Sequence, residues 1–302
     1  MRSLLAAAAA LALACPAPAA ALEIALTYDD LPAHSVLPPG DTWTAISARL
    51  VAAFKAAGVT EVYGFVNGAH TERDPASVGA LRVWREAGYP LANHTWSHTS
   101  LNNNPVETWK QDLVRNEPLL QQHMGDGDWR WLRYPNLHEG DTPEKRAEAR
   151  RFLAERGYRI ASVTMSFNDY AFNAPYARCV AKGDGKAIAE LEARYLHAAE
   201  EALKYSRAMS KTLYGRDIPY VLLMHSGALD ARLGPQLLAM YRAHGAKFVT
   251  LEAAQSDPFY RQDMVIDPAA PEPASLEAAM KARGLAPPER SWTLQGLDKV
   301  CA

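Results

Sequence analysis

Residues 22–30 read Leu-Glu-Ile-Ala-Leu-Thr-Tyr-Asp-Asp, a short apolar run that stops on two adjacent acids. The run has the length of a buried β-strand, and its ending decides the fold because the same punctuation recurs downstream. The strand-like stretch 89–93 runs into His94, with His98 four residues on; 129–132 runs into Arg133; 220–224 runs into His225. Further apolar runs at 61–66, 158–164 and 247–251 also read as strands. Between them the apolar spacing predicts helices over 43–57, 75–87, 105–123, 143–156, 186–214 and 234–244. Gly58, Gly88, Gly157 and Gly245 follow four of these stretches, where a helix cap needs a residue free of Cβ strain. In Asp141-Thr142-Pro143-Glu144 the proline sits where a first helical turn tolerates it. Strand and helix in alternation imply a parallel sheet. The expected fold is α/β, a distorted (β/α) barrel with about seven parallel strands. In such barrels the carboxyl ends of the strands form the rim on which sites are built, so the acids, imidazoles and guanidinium should converge there.

The rest of the chain narrows the classes. Of 302 residues, 48% are hydrophobic and 22% charged, enough for a sizeable core. Lys+Arg 32 against Asp+Glu 34 leaves a formal charge of -2, which argues against a nucleic-acid or anionic-membrane partner. No stretch beyond residue 21 is long and apolar enough for a membrane span. Arg2, an apolar run over 4–14, Pro16, Pro18 and alanines up to Ala21 together form the pattern of a secretory signal peptide. Residues 1–21 are therefore expected to direct export to the periplasm or the exterior, with lipid attachment at Cys15 a lesser alternative. Residues 22–302 are expected to form one catalytic domain, with a C-terminal tail from about residue 256 marked by Pro268, Pro271 and Pro273 and a short helix over 275–283. Beyond the leader only Cys179 and Cys301 remain, either a disulfide that ties the tail to a mid-chain loop or two free thiols. Oligomeric state leaves no mark on the sequence.

The chemistry of the strand ends includes a donor set suited to a divalent metal. A carboxylate and two imidazoles, Asp30, His94 and His98, suit Zn²⁺ with positions left for water, and Co²⁺ or another divalent ion would suit the same set. Taken singly, a His pair at i, i+4 or an Asp-Asp step is an ordinary surface feature, and a strand-end Arg or His an ordinary hydrogen-bond partner. Their placement on successive strand ends gives them joint weight.

These residues also carry a resemblance. Thr27-Tyr28-Asp29-Asp30 is similar to the first motif, T-F-D-D, of the polysaccharide deacetylases, carbohydrate esterase family four, whose shared region is called the NodB homology domain. His94-Thr95-Trp96-Ser97-His98 resembles the second motif, H-[ST]-x-x-H; Arg133-Tyr134-Pro135 the start of the third, R-x-P-[FY]; Leu222-Leu223-Met224-His225 the fifth, L-x-x-H. Two departures stand out. Asn136 occupies the usual aromatic position of the third motif, and Ser166-Phe167-Asn168-Asp169-Tyr170 replaces D-x-x-D-W, so the first Asp, which in the family helps hold the catalytic His, is Ser166 here.

The resemblance implies an acetylated glycan as substrate, with N-acetyl groups removed from an N-acetylglucosamine-containing polysaccharide or oligosaccharide. An O-acetyl esterase, a small-amide hydrolase on the same site and a catalytically weak sugar-binding envelope protein are the alternatives. It implies Asp30, His94 and His98 as metal ligands, Asp29 as general base, Arg133 orienting that base, and His225 as general acid; the residues by themselves leave the roles of Asp29 and Asp30 exchangeable. Tyr134, His34, Asp169 and Tyr170 are expected to contact substrate or oxyanion. Trp96 and Trp131 are further aromatic candidates for sugar stacking, and the helix over 186–214 a candidate end wall for the cleft. His70, His123, His138, His197 and His244 fit no ligand set and are expected at the surface.

Overall fold

The computed structural model describes residues 21–32, 34–270 and 273–302. The expected signal peptide, and Cys15 within it, lies almost wholly outside the described residues.

Among the described residues seven parallel strands form one sheet: β1 (Glu23–Leu31), β2 (Val62–Val66), β3 (Leu91–Asn93), β4 (Trp131–Leu132), β5 (Arg159–Ile160), β6 (Tyr220–His225) and β7 (Lys247–Phe248). The helices are α1 (Trp43–Ala56), α2 (Ala69–Arg73), α3 (Val78–Glu86), α4 (Val106–Met124), α5 (Pro143–Glu155), α6 (Tyr170–Lys182), α7 (Gly185–Tyr214), α8 (Ala228–Ala243), α9 (Leu251–Gln255), α10 (Arg261–Met264) and α11 (Leu276–Ala282). The spatial order is β5-β4-β3-β2-β1-β6, and β7 pairs with the first residues of β1, below the point where β2 begins. Past β5 the chain reaches β6: the Thr164 and Met165 amides donate to Val221 O, and Leu223 donates to Met165 O. The sheet thus curls round on itself and meets through a bridge rather than a full strand. This is the distorted (β/α) barrel expected from the sequence.

β1 is buried along almost its whole length because strands flank it on both sides and helices cover it. Such a strand reads as a continuous apolar run, not an alternating one. Thr42 caps α1 by accepting from the Ala45 amide, and the helix turns Leu50 and Phe54 inward. There Phe54 packs on Tyr28 and Trp84, with ring centroids 5.2 and 5.7 Å away.

The elements differ from expectation in places. β1 continues through Asp29 and Asp30 to Leu31, whereas β4, β5 and β7 are much shorter than the apolar runs that suggested them. α8 starts at Ala228; Gly234-Pro235 reads as a helix start but lies inside one. α6 was not foreseen, because Pro175 interrupts its pattern. An interior proline costs about 3 kcal/mol, and the burial of Phe172 and Cys179 in the core offsets it. Cys179 and Cys301 form a disulfide, Cα–Cα 5.2 Å, that closes 122 residues of chain and anchors the tail to α6. Loop closure on that scale restricts the unfolded chain by roughly 5 kcal/mol in the chain-entropy account. Among the described residues no helix is long and apolar enough to cross a membrane.

Candidate active site

Adjacent residues of a regular strand point to opposite faces, so Asp29 and Asp30 should not share a site. They do because β1 is irregular there. Its pairing with β2 shifts register between Tyr28 and Leu31, and Asp30 takes φ 60°, in the left-handed region. For a residue with a Cβ that conformation costs on the order of 1 kcal/mol. Ser226, just past β6, holds the bend: its Oγ donates to Asp30 O at 3.1 Å and its amide to Asp29 O at 3.3 Å. Thr95, His98, Asn136 and Asn168 also have positive φ, so strain gathers around this rim.

Asp29 is 3% exposed and is gripped by Arg133, whose Nη1 donates to both carboxylate oxygens at 3.1 and 3.3 Å. Arg133 is itself fully buried, with Nε donating to Ala161 O and Nη2 to Thr27 Oγ1. Burial pulls the guanidinium pKa down and Asp29 works against that shift. A buried guanidinium with every edge engaged cannot swing, so it sets the orientation of Asp29.

The two imidazoles ride on a loop fastened from below. Asn67 donates to the carbonyls of His94 and Thr95, and Asn93 accepts from the Thr95 amide. Gly68 is needed because Trp96 packs against it; a Cβ would come within 2.2 Å of that ring. His94 Nδ1 lies 2.7 Å from Arg133 O. A carbonyl can only accept, so Nδ1 carries the proton and Nε2 keeps its lone pair toward the site. His94 Nε2 and His98 Nε2 stand 3.4 and 3.6 Å from Asp30 Oδ1. Burial, then the neighbouring His94, pushes the His98 pKa down to about 4. Burial opposes the charge of Asp30, but the hydrogen bond from His34, with the nearby His94 and His225, holds its pKa well below the usual carboxylate range.

Asp30 Oδ1 is buried and has no hydrogen-bond partner. Leaving such an atom unsatisfied costs on the order of 1–3 kcal/mol, more for a charge. The same oxygen faces two nitrogen lone pairs, all within 4.8 Å of one another. Three acceptors aimed at one point have no use for each other and fit a divalent cation, so the residues present suit the metal that the sequence implied.

Across the site His225 ends β6. Its Nδ1 lies 3.0 Å from Asp169 Oδ1, and its amide donates to Asp169 Oδ2 at 2.6 Å. Burial opposes protonation of His225, but the charge and hydrogen bond of Asp169, followed by Asp30 and Asp29, raise its pKa to about 10. Here Asp169 needs correcting: it is fully buried behind His225 and does not face substrate. It holds the contact to His225 that the resemblance gave to the residue Ser166 replaces, while Ser166 lines the cleft. Behind it stands Asp230, which sequence reasoning missed. Asp230 is fully buried, accepting from Tyr195 Oη at 2.6 Å and Asn173 Nδ2 at 2.7 Å. Burial, then the charge of Asp169, pushes its pKa well above the carboxylate range, favouring the protonated acid. No motif spacing reveals Asp230, because it lies in a helix on the far side of β6.

Residues 18–153 match the polysaccharide deacetylase family. That span holds β1, the His94–His98 loop and Arg133, and β6 brings His225 to the same rim from outside it. Over that span the chain is similar to the polysaccharide deacetylase family. No curated protein matches it as a sequence relative. Among solved structures it is similar to the T48 deacetylase with substrate, at 17% identity over 84% of this chain and 96% of that one, TM-score 0.52. It is also similar to a family 4 acetyl xylan esterase from Clostridium thermocellum in complex with a cobalt ion, at 17% identity, 82% and 96% coverage, TM-score 0.50. A family 4 pseudoenzyme from Bacillus anthracis follows at 11% identity, 78% and 66% coverage, TM-score 0.54. At these identities the likeness is one of fold.

Within this polysaccharide deacetylase fold the rim residues open onto a cleft of about 450 Å³. His34 and Tyr170 line it as expected, and Tyr170 is 44% exposed. His34 Nδ1 bonds Asp30 Oδ2 at 2.8 Å, and its ring lies 4.8 Å from that of His225. Tyr134 corrects a second expectation: its side chain is buried, stacked on Trp109 at 5.4 Å, so only its backbone can face a reacting group. Trp96 and Trp131 are also buried in the core rather than available to sugars. Asn136, in place of the family's aromatic, lines the cleft with Leu137. Of the histidines set aside, His197 is exposed, while His70, His123, His138 and His244 are half-buried and none joins the cluster. The lining of the cleft also differs from expectation. Tyr205 and Ser206 of α7 line it as the end-wall expectation required, but Glu277 and Arg290 come from the tail.

Proposed function

We propose that this protein is an exported, divalent-metal-dependent hydrolase that removes N-acetyl groups from an N-acetylglucosamine-containing glycan. The observation that carries the reading is Asp30 Oδ1, buried and partnerless between His94 Nε2 and His98 Nε2, with Asp29 on one side and His225 on the other. Asp30, His94 and His98 would hold the ion, Zn²⁺ by donor type, with Co²⁺ or another divalent ion suited to the same set. When bound, such an ion polarises the acetyl carbonyl and brings the pKa of water down to roughly 7.

The chain's own groups supply the proton traffic. Asp29, oriented by Arg133, accepts the proton of the attacking water as its oxygen bonds to the carbonyl carbon. The backbone N–H of Tyr134 is the candidate donor to the oxyanion. His225, held protonated by Asp169, gives its Nε2 proton to the departing nitrogen as the C–N bond breaks, and acetate and a free amine result. Base and acid are distinct groups, a carboxylate and an imidazole, as a hydrolysis of two proton transfers requires. His34 is a positioning residue that holds Asp30 by its second oxygen. Export is supported by the leader-like pattern over residues 1–21 and by the disulfide, which belongs to an oxidising compartment.

The test is acetate release. Purified protein, stripped with chelator and re-supplied with Zn²⁺ or Co²⁺, should deacetylate chito-oligosaccharides, with acetyl-xylan run beside them to read O-deacetylation. Metal-independent release, or no release from any acetylated glycan, would overturn the proposal.

A further inference from the structure

The cleft does not end at the metal-binding side chains. It is also lined by Tyr205 and Ser206 from α7 and by Glu277 and Arg290 from the tail. These tail residues are not a loose appendage. The disulfide joins Cys301 to α6; Arg178 of α6 donates to Val300 O at 2.8 Å and Asp298 O at 3.0 Å; Arg194 of α7 donates to Gln295 O at 3.1 Å. α11 is capped by Ser275 and packs on α7. The chain is thus strapped across the outside of the barrel so that two charged side chains far from every family motif face the same cleft.

Their chemistry is specific. Arg290 Nη2 lies 3.7 Å from Glu277 Oε1, and both side chains are about half exposed, 55% and 42%. The guanidinium also lies 5.6 Å from the rings of Tyr205 and Trp292, and those two rings pack edge to face. An anion would be attracted by Arg290 and repelled by Glu277 at nearly the same distance, so the pair selects against a charged ligand. Hydroxyl groups, which donate and accept together, match an adjacent carboxylate and guanidinium, and an aromatic ring suits the apolar face of a pyranose.

We infer that Tyr205, Glu277 and Arg290 form a distal subsite for a neutral sugar unit, so that the substrate is an oligosaccharide spanning the cleft rather than a single acetylated sugar. The inference deepens the deacetylase reading and rests on it for the identity of the near end. It assigns the tail a part in choosing substrate length.

The experiment separates the two. In Asp29→Asn protein supplied with Zn²⁺, titration calorimetry compares chitotetraose with N-acetylglucosamine, and xylotetraose with xylose. At least one tetramer should bind about tenfold or more tighter than its monomer, and Arg290→Ala or Glu277→Ala in that background should remove the advantage. Arg290→Lys, which keeps charge but loses the planar fork, should restore part of it. Both side chains are half exposed, and circular dichroism of each variant verifies the fold. Equal binding of monomer and tetramer in both series, or an advantage that survives both alanine substitutions, would refute the subsite. Failure of the deacetylase reading shows elsewhere, as absence of metal-dependent acetate release by the parent protein.

Discussion

His98 and His225 sit on the same rim and meet opposite fates. His98 is surrounded by burial and a second imidazole, and its pKa falls to about 4. His225 is more enclosed than His98 but backs onto Asp169, and its pKa rises to about 10. One imidazole is kept as a neutral lone-pair donor, the other as a proton donor at neutral pH. The difference lies in what stands behind each ring, not in the residue type. At this rim a carboxylate at Nδ1 favours the protonated ring, and a ring crowded by burial and a second imidazole favours the neutral form.

Four substitutions break or sharpen that contrast. The largest effect should come from His94→Ala, which removes a convergent lone pair: bound metal measured by elemental analysis should be lost, and acetate release should fall by more than about a thousandfold. Asp29→Asn should retain the metal yet lose roughly 10²–10⁴ in kcat, since only the proton acceptor is gone. Metal-loaded Asp29→Asn protein with parental turnover would overturn the base assignment.

Asp169→Asn acts on the other side. His225 must be protonated to donate, so activity persists until pH rises through its pKa. Removing the adjacent charge lowers that pKa, and the alkaline limb of the kcat profile should move to lower pH with a loss of about 10² in rate. An unmoved alkaline limb would show that another group is the acid. Ser166→Asp, which restores the usual family residue, should change kcat by less than about threefold, because Asp169 and Asp230 already support His225.

Much of this site was legible in the chain. A strand-end acid, imidazole or guanidinium can be read from the apolar run before it, so Asp29, Asp30, His94, His98, Arg133 and His225 were all in view, and the structure brings them together. What could not be read was anything that depends on side-chain direction or on approach from outside the sheet. Asp169 looked like a cleft residue because it follows Asn168 in a motif-like stretch, yet it faces inward to the His225 imidazole and amide. Asp230 lies outside the helix expected over 234–244 and no motif reached it. Tyr134 could be placed by number but not by rotamer. Glu277 and Arg290 lie in a proline-marked tail whose composition suggests nothing about where it packs.

The amino-acid order by itself determined that strands and helices alternate, that the sheet is parallel, and that chemically active groups stand at successive strand ends. Those facts follow from local periodicity, which each segment carries alone. Only the tertiary structure decided that both adjacent acids face one site, that His225 is backed by Asp169 and Asp230, that the two cysteines meet, and that the tail reaches the cleft. Each of these depends on residues far apart in the chain meeting at hydrogen-bond distance, and a backbone bend such as that at Asp30 is stable only because Ser226, almost two hundred residues later, holds it in place.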